Sequence, residues 1–378
     1  MLSRDLKLVF TCNLIGSFGD GLYAYLLPVY MSSSLGADSV QIGTLYAVVN
    51  LLAAVTLLVS GTLADQYDRK KIMILGWLAW LPVPLIFSLA RNWVEMIPGM
   101  VLWGFWLGGP AGTAYMVTAA DRKKLTLTLT IMSVAWSIGY IFSPAVGGFL
   151  AGAIGMKPVF YIAFVLYALA SLTLCFIRSQ HASRTQKPDE GDYSFLRLIR
   201  TRELALLSVF FALLMFTLMM FRPFIPKFLA DVYRSTDFQI GVLGSVSFAS
   251  SAILGLLLGR LGDKSRKSYP LALIVTLNGI SMILLLLSGN LAILVISFIL
   301  IGGSYLTWSF MGAIAGPLAP EWCRARWIAV PQTVSMFASF VAPYVGGFIY
   351  SCSPQYPFIV AAAVMPVLAF LALRLFRK

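Results

Sequence analysis

Long apolar runs alternate with short polar stretches along the whole chain. A helix of about 20 apolar residues crosses the hydrocarbon core of a bilayer, and runs of that length predict spans near residues 7–30, 40–64, 72–90, 97–119, 126–153 and 158–177. After a polar stretch the pattern resumes at 204–230, 239–260, 270–288, 291–318, 327–350 and 356–374. The expected fold is an all-α polytopic membrane protein of twelve transmembrane helices, because a helix satisfies its own backbone hydrogen bonds where water is absent. Residues 1–178 are expected to form one six-helix bundle and 203–378 a second, with a cytoplasmic linker at 179–202. The first run is too long for the core of a secretory leader and reads as a retained helix.

Composition points the same way. Of 378 residues 59% are hydrophobic and 11% charged, against about 25% charged in soluble domains. Twelve crossings use about 240 residues and leave only short loops, with no space for a separate folded domain. A pump driven by ATP needs a nucleotide-binding domain, and the chain has no G-x-x-x-x-G-K-[ST] loop. Transport on a gradient, rather than enzymatic chemistry, is therefore expected. The net charge of +13 comes from residues set between apolar runs, which argues against nucleic acid. Cys12, Cys175, Cys323 and Cys352 show no C-x-x-C, and the single histidine, His181, has no partner at ligand spacing, so no metal, disulfide or cofactor is expected.

The basic residues orient the spans, since positively charged loops stay cytoplasmic. With both termini cytoplasmic, nearly all of the 28 Lys and Arg residues fall on that side; the other receives only Arg91, Lys157 and Arg234, while Arg222 and Lys227 lie inside a span. The location expected is the inner or plasma membrane, as a monomer. The stretch Phe195-Leu196-Arg197-Leu198-Ile199-Arg200 reads either as an amphipathic helix on the cytoplasmic leaflet or as a basic flank of the seventh helix.

The two halves repeat. Pro28, Gln41, Ile42, Gly43, Gly61, Leu63 and Asp65 recur 198 residues later as Pro226, Gln239, Ile240, Gly241, Gly259, Leu261 and Asp263, and Pro144, Gly147, Gly148 and Phe149 recur as Pro343, Gly346, Gly347 and Phe348. A unit of six crossings returns the chain to its starting side, so the halves are expected to be parallel, related by an axis along the membrane normal.

The loops after the second and eighth spans read Gly61-Thr62-Leu63-Ala64-Asp65-Gln66-Tyr67-Asp68-Arg69-Lys70-Lys71 and Gly259-Arg260-Leu261-Gly262-Asp263-Lys264-Ser265-Arg266-Lys267. The glycines let neighbouring helices approach, and the basic residues anchor at anionic headgroups. Together the loops resemble the G-x-L-x-D-x-x-G-R-[RK] signature of the major facilitator superfamily, with Asp68 at a usual glycine. The resemblance covers the whole chain. It implies a cytoplasmic gate built from Gly61, Asp65 and Arg69, with Gly259 and Asp263 in the second copy and Arg122 as a partner; topology alone also explains Arg122. Gly139-Tyr140-Ile141-Phe142-Ser143-Pro144-Ala145-Val146-Gly147-Gly148 is similar to that family's antiporter motif, G-x-x-x-G-P-x-x-G-G. The related Pro343, Gly346 and Gly347 keep a second reading open, in which Gly139, Pro144, Gly147 and Gly148 form a packing seam.

Ionisable groups in hydrocarbon face a cavity or a partner. Asp20 lies about 20 Å along its helix from Lys7, with Asn13, Ser17 and Tyr23 on its face. By the repeat, Arg222 sits about one turn nearer the outside. The resemblance implies that both line a central cavity, where they either form a static ion pair or part so that Asp20 takes up a proton. Lys227 is expected to snorkel outward. Trp103, Trp106, Trp136 and Trp308 suit a wall for amphipathic or cationic solutes, or ordinary packing. The function expected is a secondary transporter exporting a small amphipathic solute by alternating access in exchange for protons, within membrane lipid. Proton-coupled uptake of an organic anion held by Arg222 is the alternative. A non-transporting sensor or a lipid scramblase on the same scaffold is the third reading.

Overall fold

A computed structural model describes residues 2–121, 125–181, 201–264, 268–318 and 324–375. Arg122, most of the expected linker and its amphipathic candidate lie outside the described residues, as do the side chains of Asp65 and Asp263. The helices are α1 (Arg4–Ala24), α2 (Leu27–Leu35), α3 (Ser39–Gln66), α4 (Arg69–Trp80), α5 (Val83–Leu89), α6 (Ile97–Trp103), α7 (Gly108–Ala119), α8 (Leu125–Ile154) and α9 (Met156–Cys175). They continue as α10 (Arg202–Phe221), α11 (Ile225–Asp231), α12 (Asp237–Lys264), α13 (Ser268–Leu287), α14 (Leu291–Ile301), α15 (Thr307–Leu318), α16 (Arg324–Cys352) and α17 (Tyr356–Leu375).

Five crossings are broken in two, α1–α2, α4–α5, α6–α7, α10–α11 and α14–α15, so the described helices make twelve crossings. Proline accounts for three breaks, since it lacks the N–H that continues a helix: Pro28 opens α2, Pro82 precedes α5, and Pro223 lies in the short turn before α11, with Pro226 in the first turn of α11. The break before α7 is held by its neighbours. Thr56 Oγ1 accepts the Trp106 N–H at 3.0 Å, Trp80 Nε1 donates to the Phe105 carbonyl at 2.8 Å, and the Ser60 hydroxyl donates to that of Leu107. Backbone freed within the hydrocarbon thus finds protein partners. Ten helical stretches are long and apolar enough to cross a bilayer by themselves. The other two, α1–α2 and α6–α7, carry Asp20 and Trp103.

The chain clusters into two compact units, one of Met1–Ala37, Val48–Thr185 and Arg234–Ser245, the other of Asp38–Ala47, Gln186–Tyr233 and Val246–Lys378. Each includes the first turns of a long helix, α12 or α3, whose remainder belongs to the other.

Glycines set the closest packing in both. In the first unit an added Cβ would stand 1.8 Å from the Leu22 carbonyl oxygen at Gly147, 2.0 Å from Ser17 Oγ at Gly139, 2.3 Å from the Asp237 carbonyl oxygen at Gly148 and 2.1 Å from that of Pro144 at Gly241. In the second, it would stand 1.9 Å from the Met220 carbonyl oxygen at Gly346, 2.2 Å from that of Ser39 at Gly347 and 2.2 Å from that of Pro343 at Gly43. The repeated residues make the same contacts at equivalent places: α8 on α1 and the start of α12, α16 on α10 and the start of α3. Small residues here let backbones touch. The repeated Gln has a different cause. Gln41 closes a capping box with Asp38, and Gln239 closes one with Thr236, satisfying orphan N–H groups where each helix starts. Gly259 departs from expectation, since an added Cβ there meets nothing within 4 Å and no close helix approach requires it.

Candidate functional site

Asp20 is 4% exposed, in the last two turns of α1 among Gly19, Gly21 and Leu22. Among the described residues, those that hold its carboxylate all belong to the first unit. Trp103 Nε1 at the end of α6 donates to Oδ1 at 2.9 Å, the Tyr167 hydroxyl of α9 donates to Oδ1 at 2.6 Å, and the Tyr140 hydroxyl of α8 donates to Oδ2. The Tyr23 hydroxyl lies 3.2 Å from Oδ1 and 3.0 Å from the Tyr167 hydroxyl, so its one hydrogen serves either. A carboxylate offers about four acceptor positions: these donors occupy both on Oδ1 and one on Oδ2. None carries a charge.

A shell of aromatic rings fixes the donors. Tyr23 packs against Phe87, Trp103 and Phe160 at centroid distances of 6.0, 6.1 and 5.4 Å. Trp77 of α4 meets Tyr167 edge-on at 5.6 Å, and its indole fills the notch left by Gly16, where a Cβ would stand 1.8 Å from the ring. Trp106 packs on Trp80 at 5.2 Å, and Trp136 stacks on Tyr140 at 6.1 Å with 17° between the planes. Ser17 is buried and donates to the Leu14 carbonyl; Asn13 is partly exposed, two turns from Asp20.

In the second unit the Arg222 guanidinium lies 4.0 Å from the centroid of the Tyr305 ring, a favourable cation–π distance, and Trp308 follows on the next turn, partly exposed. Asp20 and Arg222 thus each find partners within their own unit. Lys227 does not reach outward. It is 7% exposed, and its Nζ lies 2.9 Å from Asp231 Oδ2, which also accepts the Tyr350 hydroxyl at 2.9 Å. One turn of α11 brings the two charges together, and pairing replaces the water that snorkelling would have sought.

The model of the Major Facilitator Superfamily matches residues 9–233 and 207–378, nearly the whole chain. The chain belongs to this superfamily. It is 24% identical over 379 residues to multidrug resistance protein 2 of Bacillus subtilis (strain 168), across 96% of this chain and 93% of the relative. It is 29% identical over 285 residues to multidrug resistance protein MdtG of Enterobacter lignolyticus (strain SCF1), across 70% and 68%. A crystal structure of a mutant nucleoside transporter NupG superposes with a TM-score of 0.87 at 16% identity, covering 99% of this chain and 100% of that one. A bacterial homologue of the iron transporter ferroportin gives 0.77 at 13% identity, covering 100% of both. These structural likenesses speak to the fold. As a superfamily member the chain is an integral membrane protein and a secondary transporter of a small molecule.

In the first signature loop Arg69 and Asp68 are each held by several hydrogen bonds. Arg69 Nη1 donates to Thr118 Oγ1 at 2.7 Å, to Gln180 Oε1 at 2.9 Å and to the Ala114 carbonyl at 3.3 Å. Asp68, in the place of the usual glycine, caps α4 by accepting the Lys70 N–H at 3.0 Å and takes the Gln180 N–H at 3.1 Å. Burial pushes its carboxyl up, but hydrogen bonds from Gln180, Ser179 and Lys70 outweigh that and hold it below the ordinary carboxylate range.

Of the residues singled out in the sequence, Asp20, Tyr23 and Trp103 are in direct contact, and Trp136 joins them through Tyr140. Tyr140 and Tyr167 carry no sequence signal of their own. The available clue was the demand of a buried carboxylate for donors, which does not say which helices supply them.

Proposed function

We propose that the chain exports a small amphipathic solute across the cell membrane by alternating access, in exchange for protons taken up at Asp20. Its termini face the cytoplasm and it works as a monomer. The observation that carries this reading is the Asp20 carboxylate, buried and held only by neutral phenol and indole donors. A buried acid with a cationic partner is held ionised by that charge. One held by neutral groups changes its charge and its hydrogen-bonding sense together, which makes it a switch. The aromatic shell beside it suits flat, apolar or cationic solutes. The names of the relatives from Bacillus subtilis and Enterobacter lignolyticus, both multidrug resistance proteins, support export of foreign compounds. The seam glycines Gly139, Gly147 and Gly148 serve as packing in this reading, with Arg69 as the centre of a cytoplasmic latch.

The test is transport by purified protein in proteoliposomes with an imposed pH gradient. Asp20→Asn is expected to abolish gradient-driven accumulation while leaving solute counterflow; an undiminished response to the gradient refutes the proton role. The second reading, uptake of an organic anion, is favoured by the partly exposed guanidinium of Arg222 over Tyr305. It requires that anionic solutes raise the melting temperature and that Arg222→Ala remove the effect.

A further inference from the structure

The exposed surface of α8 divides into two stripes. One is apolar: Val134, Ile138, Phe142, Val146 and Phe149. The other carries Ser133 and Ser137, both exposed, with Trp136 and Tyr140, both partly exposed. On this second stripe the rings of Trp136 and Tyr140, 6.1 Å apart and 17° from parallel, stack on successive turns into an aromatic platform. The outer member of that platform is also, among the described residues, the one donor to Asp20 Oδ2, since Trp103, Tyr167 and Tyr23 all address Oδ1. Solute surface and carboxylate therefore share one side chain.

Resting on the reading that Asp20 is the proton site, we propose that Tyr140 is the coupling residue, and that the Trp136–Tyr140 platform takes a flat aromatic solute. With Asp20 ionised, the Tyr140 hydroxyl donates to Oδ2, which seats its ring against Trp136 and completes the platform. A proton arriving from water forms a bond to Oδ2. The protonated oxygen is a weaker acceptor and a new donor, so the Tyr140 hydroxyl either reverses the sense of its bond or lets go, and its ring is held less firmly against Trp136. Solute and proton thereby oppose one another without touching. The other titratable groups facing Asp20 are Tyr23 on its own helix and Tyr167 on α9; α4 presents Trp77, α6 presents Trp103, and Tyr115 of α7 is engaged with the Arg178 carbonyl. Among these described groups Tyr140 is the one that is both partly exposed and stacked on a second partly exposed ring.

The experiment measures proton release on binding to the full-length protein in weakly buffered detergent. The probes are ethidium, which is flat, and tetraphenylphosphonium, which has the same charge and cannot lie flat. Wild type is expected to release protons with ethidium and not with tetraphenylphosphonium. Tyr140→Phe removes the hydroxyl that seats the ring, so it should bind ethidium about tenfold more weakly, release no protons and lose the pH dependence of its Kd. Trp136→Ala should weaken ethidium by about tenfold and leave tetraphenylphosphonium unchanged. Retained proton release in Tyr140→Phe, or equal release with both probes, overturns the coupling role. Release that persists in Asp20→Asn overturns the proton site itself, whereas release lost in Asp20→Asn but kept in Tyr140→Phe overturns this inference alone.

Discussion

Replacing Gly147 with alanine is the sharpest test of the packing described here. The new Cβ would lie 1.8 Å from the Leu22 carbonyl oxygen, and ordinary contact begins at 3.4 Å, so α8 and α1 must part by about 1.6 Å. The obstacle is backbone, which cannot rotate aside as a side chain can. Overpacking of this kind costs about 1–3 kcal/mol, and the size of the overlap argues for the upper end, less up to about 1 kcal/mol that alanine gains over glycine in a helix. Gly346→Ala meets the Met220 carbonyl oxygen at 1.9 Å and should behave alike. Gly152, on the same helix as Gly147, is the control, because a Cβ there meets nothing within 4 Å. With about 2–4 °C per kcal/mol in domains of about 150–250 residues, Gly147→Ala and Gly346→Ala should melt several degrees below Gly152→Ala. The assay is thermal unfolding in detergent at one scan rate, since membrane proteins unfold irreversibly. If Gly147→Ala melts with Gly152→Ala, the seam is not held by backbone contact and the account of the repeat fails.

Two further outcomes are expected. Asp68 is held below the usual carboxylate range, so its charge-linked contribution to stability is present above its unfolded value, near 3.8, and is lost as pH falls through the lower folded value; the melting difference between wild type and Asp68→Ala should be constant near neutrality and shrink in strong acid. Asp231→Asn leaves Lys227 buried without its counter-ion and should cost about 1–3 kcal/mol, less than a fully buried pair because the Asp231 side chain is 36% exposed, while Lys227→Met with Asp231→Asn should recover much of that loss in the same melting assay.

The crossings were legible in the sequence because lipid allows few alternatives: an apolar run that long must be a helix, and loop charges then orient it. The breaks were not. Hydropathy read residues 97–119 as continuous, whereas the chain opens at Gly104 because Thr56, Trp80 and Ser60 supply partners for the freed backbone. Lys227 was misplaced for a related reason, since its partner Asp231 was counted as loop instead of the next turn of α11. Asp20 stood out through the cost of a carboxylate in hydrocarbon. Its donors from α6, α8 and α9 did not, because phenols and indoles are common in membrane helices and only tertiary structure selects among them.

The exchange of helix beginnings between the two compact units carries a consequence for ancestry. A six-helix half has a socket, lined by Pro144 and Gly148 or by Pro343 and Gly347, and a plug, Asp237–Ser245 or Ser39–Ala47, that fills the socket of the opposite type. A half-length forebear with both parts could have filled its socket with the plug of a twin, in a self-complementary pair. Duplication and fusion would then have made that partnership permanent.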